Sequence, residues 1–280
     1  MSILWLILLV LGIVQGFTEF LPVSSSGHLV IVEQIEFIRI QLHSLGEDSI
    51  LVINVAFHLA TLLAVMVFMF KDLVLLIRGF FSAIFSSRFD APEFKISINI
   101  LFACLPAGIA GFLFKDFISS LFSSALAVFF LLILNGIILL LANKIPVKDR
   151  KIEEIGVFRS LLVGLCQAAA IMPGISRSGM TIIGGMMIGL KPLDSARFSF
   201  LIAIPVIAGA GMIEGLHAMK GGLSPDLWMP LIFAMVITFI IALIALKILV
   251  TMVTQIRFHL FGYYTIVVGI IGVVVSLLLQ

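Results

Sequence analysis

The sequence predicts an all-α polytopic membrane protein, and three observations carry that prediction. Hydrophobic residues make up 62% of the chain and charged residues only 11%, whereas a soluble domain is about a quarter charged. Apolar stretches near the ~20 residues that cross a hydrocarbon core as a helix recur along the whole length. Two further stretches start apolar and then break into Pro, Gly and Ser clusters carrying ionisable side chains, as helices do when they are interrupted inside a membrane. Together these elements make residues 1–280 a single integral membrane domain, with no soluble domain or linker left over.

In chain order, residues 3–30 form the first broken segment. No positive residue precedes its apolar start and an acid follows, so it is not read as a cleaved signal. Full spans then cover about 50–70, 96–114 and 122–143. The second broken segment is 158–190, and spans near 198–218, 228–250 and 262–279 complete a set of about six. Cys104 and Cys166 lie in apolar stretches without metal-ligand spacing and read as packing thiols. Asn54, Asn99 and Asn135 read as interhelical hydrogen-bonding residues, and His58, beside Thr61, as a packing or hydrogen-bonding residue.

Charge placement sets the orientation. If each broken segment leaves by the face it enters, Lys71, Arg78, Arg88, Lys95, Lys144, Lys148, Arg150, Lys151, Arg159, Lys191, Arg197, Lys247 and Arg257 share one face, 13 of the 17 Lys and Arg. That face is predicted to be cytoplasmic. Arg39, Lys115 and Lys220 fall on the other, and Arg177 lies inside the second broken segment. Both termini and the acidic connection with Glu33, Glu36, Glu47 and Asp48 then face outward. A net charge of +2 with no long basic run excludes a nucleic-acid partner.

The broken segments resemble each other. A shift of 152 residues superposes Gly12, Gln15, Ser24, Ser26 and Gly27 on Gly164, Gln167, Ser176, Ser178 and Gly179. Each copy precedes three spans, an odd number, so the second enters from the opposite face. This predicts an inverted-topology repeat, 1–143 and 158–280, each a re-entrant segment plus three spans, with the broken segments meeting near the midplane.

Reactive groups concentrate there. In the first copy Gln15 and Glu19 are four residues apart, hence on one helix face, and Pro22 ends that helix before Ser24, Ser25, Ser26, Gly27 and His28. The second copy runs from Pro173 and Gly174 through Ser176, Arg177 and Ser178, with Arg177 in the place of Ser25 and Met180 in that of His28. One copy offers an acid and an imidazole for proton transfer and nucleophile activation. The other offers a guanidinium fork, amides and hydroxyls suited to phosphate oxygens. A structural ion pair between Glu19 and Arg177 would explain those two residues but not the hydroxyls around them, and ionisable groups inside a membrane are costly without a purpose. No G-x-x-x-x-G-K-[ST], H-E-x-x-H or G-x-S-x-G run is present.

At these motifs the sequence closely resembles the undecaprenyl-pyrophosphate phosphatase, or bacitracin-resistance, family. The first signature is matched from Gln15 to His28 and the second, Pro-Gly-x-Ser-Arg-Ser-Gly, from Pro173 to Gly179. Residues 55–64, Gly189-Leu190 and Ala196 to Pro205 also look like the family, so the resemblance covers essentially the whole chain. It implies a hydrolase of the bacterial cytoplasmic membrane that converts undecaprenyl pyrophosphate to the monophosphate at the outer face. Such an enzyme recycles the lipid carrier of cell-wall synthesis, and its overproduction protects against bacitracin.

The resemblance further implies Glu19 as the key acid, Ser25 as nucleophile or phosphate ligand, His28 as acid/base partner and Arg177 as the pyrophosphate clamp. Gln15 stands where many members have a Glu, which puts a cation held by two acids in doubt. Ser24, Ser26, Ser176, Ser178 and Gly174 complete the expected phosphate-binding set. Besides the polyprenyl pyrophosphate and membrane lipids, the one expected ligand is a divalent cation, Mg2+ or Ca2+, for which the sequence shows no full ligand set. The rival expectation is a flippase for polyprenyl phosphate, since inverted repeats with broken helices are also transporter architecture. The sequence leaves oligomeric state, chain-length preference and the choice of Ser25 or water as attacking group open.

Overall fold

Proline and serine mark many of the helix starts. The computed structural model describes residues 3–221 and 224–278; residue 279, at the predicted end of the last span, and the side chain of Lys220 lie outside the described residues. Among the described residues six helices are long and apolar enough to cross a membrane: α4 (Glu47–Phe68), α6 (Pro92–Leu113), α8 (Ala125–Ala142), α11 (Pro192–Gly221), α12 (Pro225–Thr254) and α13 (Phe258–Leu278). Pro92 and Pro225 open α6 and α12, where the missing N–H has no partner to lose. Ser124 caps α8 by accepting from the Ala127 amide at 3.3 Å.

The broken segments are helix–turn–helix units, α1 (Ile3–Thr18) with α2 (Ser25–Glu33), and α9 (Gly156–Ala169) with α10 (Arg177–Met187). Three short helices, α3 (Glu36–His43), α5 (Phe70–Phe85) and α7 (Lys115–Phe122), occupy stretches that the sequence reading treated as connections. At 16 residues, three of them the charged Lys71, Asp72 and Arg78, α5 is too short to count as a span. Its Leu76 and Ala83 are nonetheless buried, while Phe85 is exposed. An ion pair from Asp72 to Arg197 ties α5 to α11 on the face crowded with basic residues.

Each half lends its first helix to the other. The helix α1 packs along α12 and α9 packs along α6, while α8 runs beside α13 and α4 beside α11. Close approach depends on glycine in both crossed pairs. A Cβ on Gly12 would sit 2.6 Å from Thr238 Oγ1, and one on Gly164 would sit 2.6 Å from the Ala103 carbonyl. Polar bonds cross both seams: Thr238 Oγ1 donates to Gly12 O at 3.0 Å and Gln167 Nε2 to Ala103 O at 3.3 Å. Much of the remaining large hydrophobic surface points outward, as in Phe112, Phe158 and Met229, where lipid tails replace water as solvent. With little hydrophobic drive between helices in lipid, such small-residue and hydrogen-bonded contacts hold a bundle together.

Candidate active site

Two serine-capped turns meet back to back. Ser24 Oγ accepts from the Gly27 amide at 3.3 Å and lies 3.2 Å from Ser26 Oγ; Ser176 Oγ accepts from the Gly179 amide at 3.1 Å and lies 3.0 Å from Ser178 Oγ. These caps satisfy amides that a helix start would otherwise leave unpaired. The Gly174 amide also donates to Ser24 Oγ at 3.2 Å, which joins the turns directly. Asn135 of α8 holds both, donating to Pro22 O at 3.1 Å and accepting from the Ser176 amide at 2.9 Å.

The turns differ in backbone. Ser24 has φ 69°, whereas Ser176 is extended at φ −79° and the left-handed residue of the second turn is Gly174 at φ 104°. A non-glycine residue in that region costs on the order of 1–3 kcal/mol and persists only where its surroundings enforce it. At Ser24 the enforcing bonds are those to Gly27, Gly174 and His28.

Glu19 is the centre of the arrangement. It is 7% exposed, one residue beyond α1. Its Oε1 accepts from Arg177 Nη2 at 2.7 Å, and its Oε2 accepts from Ser25 Oγ at 2.7 Å and Gln15 Nε2 at 3.0 Å. His58 Nε2, from α4, stands 4.0 Å from the same Oε2. A buried carboxylate is tolerated because a guanidinium and two further donors surround it. Ser25, Ser26 and Arg177 are only partly buried, so the hub opens where a phosphate could meet the hydroxyl and the guanidinium together.

The structure thus brings Glu19, Gln15, Ser25 and Arg177 into direct contact. His28 is placed elsewhere. Its Nδ1 bonds Ser24 O at 2.8 Å, its Nε2 bonds the Tyr264 hydroxyl at 2.8 Å, and its ring stacks on Tyr264 at 5.5 Å between centroids. The imidazole near Glu19 is His58, which the sequence reading gave only a packing or hydrogen-bonding role. Ser24, Ser176, Ser178 and Gly174 are buried, and the bonds described above occupy their polar groups, so they shape the turns from within.

His58, Asn135 and Tyr264 are the positions that sequence reasoning missed as parts of the site. His58 carried a signal, a polar face of Asn54, His58 and Thr61 on an otherwise apolar span, and so did Asn135, a lone amide on an apolar span, whereas Tyr264 carried none.

The residues around Glu19 do not form a cation site of their own. Among the described residues no group of three or more His, Cys, Asp or Glu could hold a metal, and Arg177, Ser25 and Gln15 meet Glu19 with N–H and O–H donors rather than lone pairs. Two unpaired acceptors are left over, Gln15 Oε1 and, in a neutral ring, His58 Nε2. Mg2+ and Ca2+ need six or more oxygen ligands.

The family described as bacitracin resistance protein BacA matches residues 8–271. The chain belongs to that family. Its relatives include a protein of Trichlorobacter lovleyi named undecaprenyl-diphosphatase, 36% identical over 263 residues and 93% of each chain. One of Halothermothrix orenii with the same name is 35% identical over 95% of this chain and 96% of its own. A third so named, from Methanococcus maripaludis, is 37% identical over 91% and 94%. The matched stretch of the BacA family spans both turns and every residue of the Glu19 hub, His58 included.

Proposed function

We infer that this chain is an undecaprenyl-diphosphatase, hydrolysing undecaprenyl diphosphate to the monophosphate and inorganic phosphate. The observation that carries the reading is one carboxylate, Glu19, bonded at once to a hydroxyl from the first turn and a guanidinium from the second. The named relatives and the family match support it. Lipid flipping needs no hydroxyl held against a carboxylate, which is why hydrolysis is preferred over the rival.

In this reading Arg177 turns its fork to the phosphates and offsets the charge that spreads over the transferring phosphoryl group. Ser25 Oγ attacks the terminal phosphorus while Glu19 takes its proton, and water then hydrolyses the phosphoserine. The site opens to the outer side of the bacterial cytoplasmic membrane, a reading supported by the 13 Lys and Arg assigned to the opposite face. Removal of the pyrophosphate lipid there would deprive bacitracin of its target and return the carrier to cell-wall synthesis.

The test is phosphate release from undecaprenyl diphosphate by the purified protein in detergent, where no sidedness exists. Glu19→Gln and Arg177→Ala should each lose at least about 10²–10³-fold, the scale for removing one electrostatic stabiliser. No release by the parental protein, in detergent and in lipid, with and without divalent cations, would defeat the assignment.

A further inference from the structure

Two imidazoles lie near the turns, and their bonding separates them. Both ring nitrogens of His28 are taken, by Ser24 O and by the Tyr264 hydroxyl, and the residue is 9% exposed. His58 is different. Its Nδ1 lies 2.9 Å from the Asn54 carbonyl, an acceptor, so Nδ1 carries the hydrogen and Nε2 of the neutral ring keeps its lone pair. That Nε2 faces Glu19 Oε2 at 4.0 Å, and the side chain is 38% exposed.

At this depth the surroundings hold little else that titrates. On its own helix, His58 is the only ionisable residue between Asp48 and Lys71. Packed against α4, helix α1 has none, α11 none between Arg197 and Glu214, and α12 none between Asp226 and Lys247; α5 brings Lys71, Asp72 and Arg78 only beyond the helix end. The charged groups facing His58 are therefore Glu19 and, through it, Arg177.

Glu19 is a poor final holder for the proton of Ser25. Once Ser25 has lost its hydrogen, the Arg177 guanidinium still stands 2.7 Å from Glu19 Oε1 and Gln15 Nε2 still donates to Oε2, and both favour the carboxylate over a protonated carboxyl. Neutral His58 has a free lone pair and an open edge. Resting on the phosphatase reading above, we propose that His58 is the proton relay of the reaction, taking through Glu19 the proton that Ser25 loses.

The step balances as follows. As the Ser25 Oγ–P bond forms, the bridging P–O bond to the lipid phosphate breaks, and the lipid monophosphate leaves with that electron pair. The hydroxyl proton crosses Glu19 Oε2 to His58 Nε2 as the ring closes the 4.0 Å gap. Water then bonds to phosphorus, the P–Oγ bond breaks, and a water proton returns by Glu19 to Ser25. The proton held by His58 leaves from its exposed edge, matching the net proton that the hydrolysis liberates.

The experiment measures kcat against pH for the parental protein, His58→Gln and His58→Ala, the last with and without added imidazole. The parental kcat should fall as pH is lowered, because a charged His58 cannot accept. Glutamine keeps a polar contact but does not titrate, so His58→Gln should lose roughly 10²-fold in kcat, the lower end for general acid–base groups. It should lose the acidic limb as well. His58→Ala should be similarly slow and recover at least about tenfold with imidazole, which reaches the site by the exposed edge. A His58→Gln protein with parental kcat and pH profile would overturn the relay, as would an alanine variant that imidazole leaves unchanged. A parental protein that releases no phosphate would instead defeat the phosphatase reading itself.

Discussion

The two broken segments share a scaffold and differ in what they carry. Ser24, Ser26 and Gly27 make the same cap as Ser176, Ser178 and Gly179, and Gly12 and Gly164 allow the same close helix approach. At three other positions the match ends. Glu19 faces the repeat as Ile171, Ser25 as Arg177 and His28 as Met180. On the proposed reading the hydroxyls inside the caps hold shape, and the hub is built from Glu19, Ser25 and Arg177, where the copies diverge, with Gln15, which they share as Gln167. A carboxylate and a hydroxyl on one turn, with a guanidinium on the other, give a site that neither turn could form alone.

The strongest way to break that conclusion is Ser25→Ala. If divergent positions carry the chemistry, phosphate release should fall at least about 10³-fold, a loss typical of removing a nucleophile or its partner. The thermal midpoint should barely move. A mass-spectrometric search for phosphoserine during turnover would separate a covalent role from simple binding.

Next in size is Gly174→Ala. Its φ of 104° is strained for any side chain, and a Cβ there would lie 2.6 Å from the Val128 carbonyl, so about 3 kcal/mol of stability should go. Denaturation in detergent would read the loss. Gly12→Ala and Gly164→Ala test the shared scaffold and should each cost about 1–3 kcal/mol by overpacking. Costs differing by more than that range would break the equivalence of the two seams. Gly12→Ala should also slow phosphate release, since α1 positions Glu19.

The smallest effects belong to Ser26→Ala and Ser178→Ala. Each removes one serine–serine bond, about 0.5–1.5 kcal/mol, and kcat should change only a few-fold. A large kcat loss in Ser178→Ala alone would return that residue to the phosphate-binding set.

Much of the fold was legible because a span is a composition signal. Five of the six spans begin and end within four residues of their predicted bounds, α11 begins six residues early at Pro192, and Pro22 and Pro173 flagged the turns. The short helices α3, α5 and α7 were not legible, because their mixed charged and apolar faces resemble loops when read for membrane spans. In the site, Gln15, Glu19, Ser25 and Arg177 were visible from spacing and chemical type. The contrast between His28 and His58 was not. It depends on which neighbour each ring nitrogen meets, and for His28 that neighbour is Tyr264, 236 residues away. Asn135 was read as an interhelical hydrogen-bonding residue, but the sequence did not say that it would bridge the two turns.

The exchange of first helices between halves also sets an order of assembly. The bond from Thr238 to Gly12 joins residues 226 positions apart. At about 5–20 residues per second of synthesis, the first broken segment waits on the order of 10–45 s for the helix that covers it. Glu19 and its turn first wait for Arg177, which arrives 158 residues later. A nascent chain released between those two moments would already hold the hydroxyl, carboxylate and guanidinium, yet lack the helix that seats them. Completion of α12 is therefore the event that seats α1, and α13, which brings Tyr264 to His28, follows it.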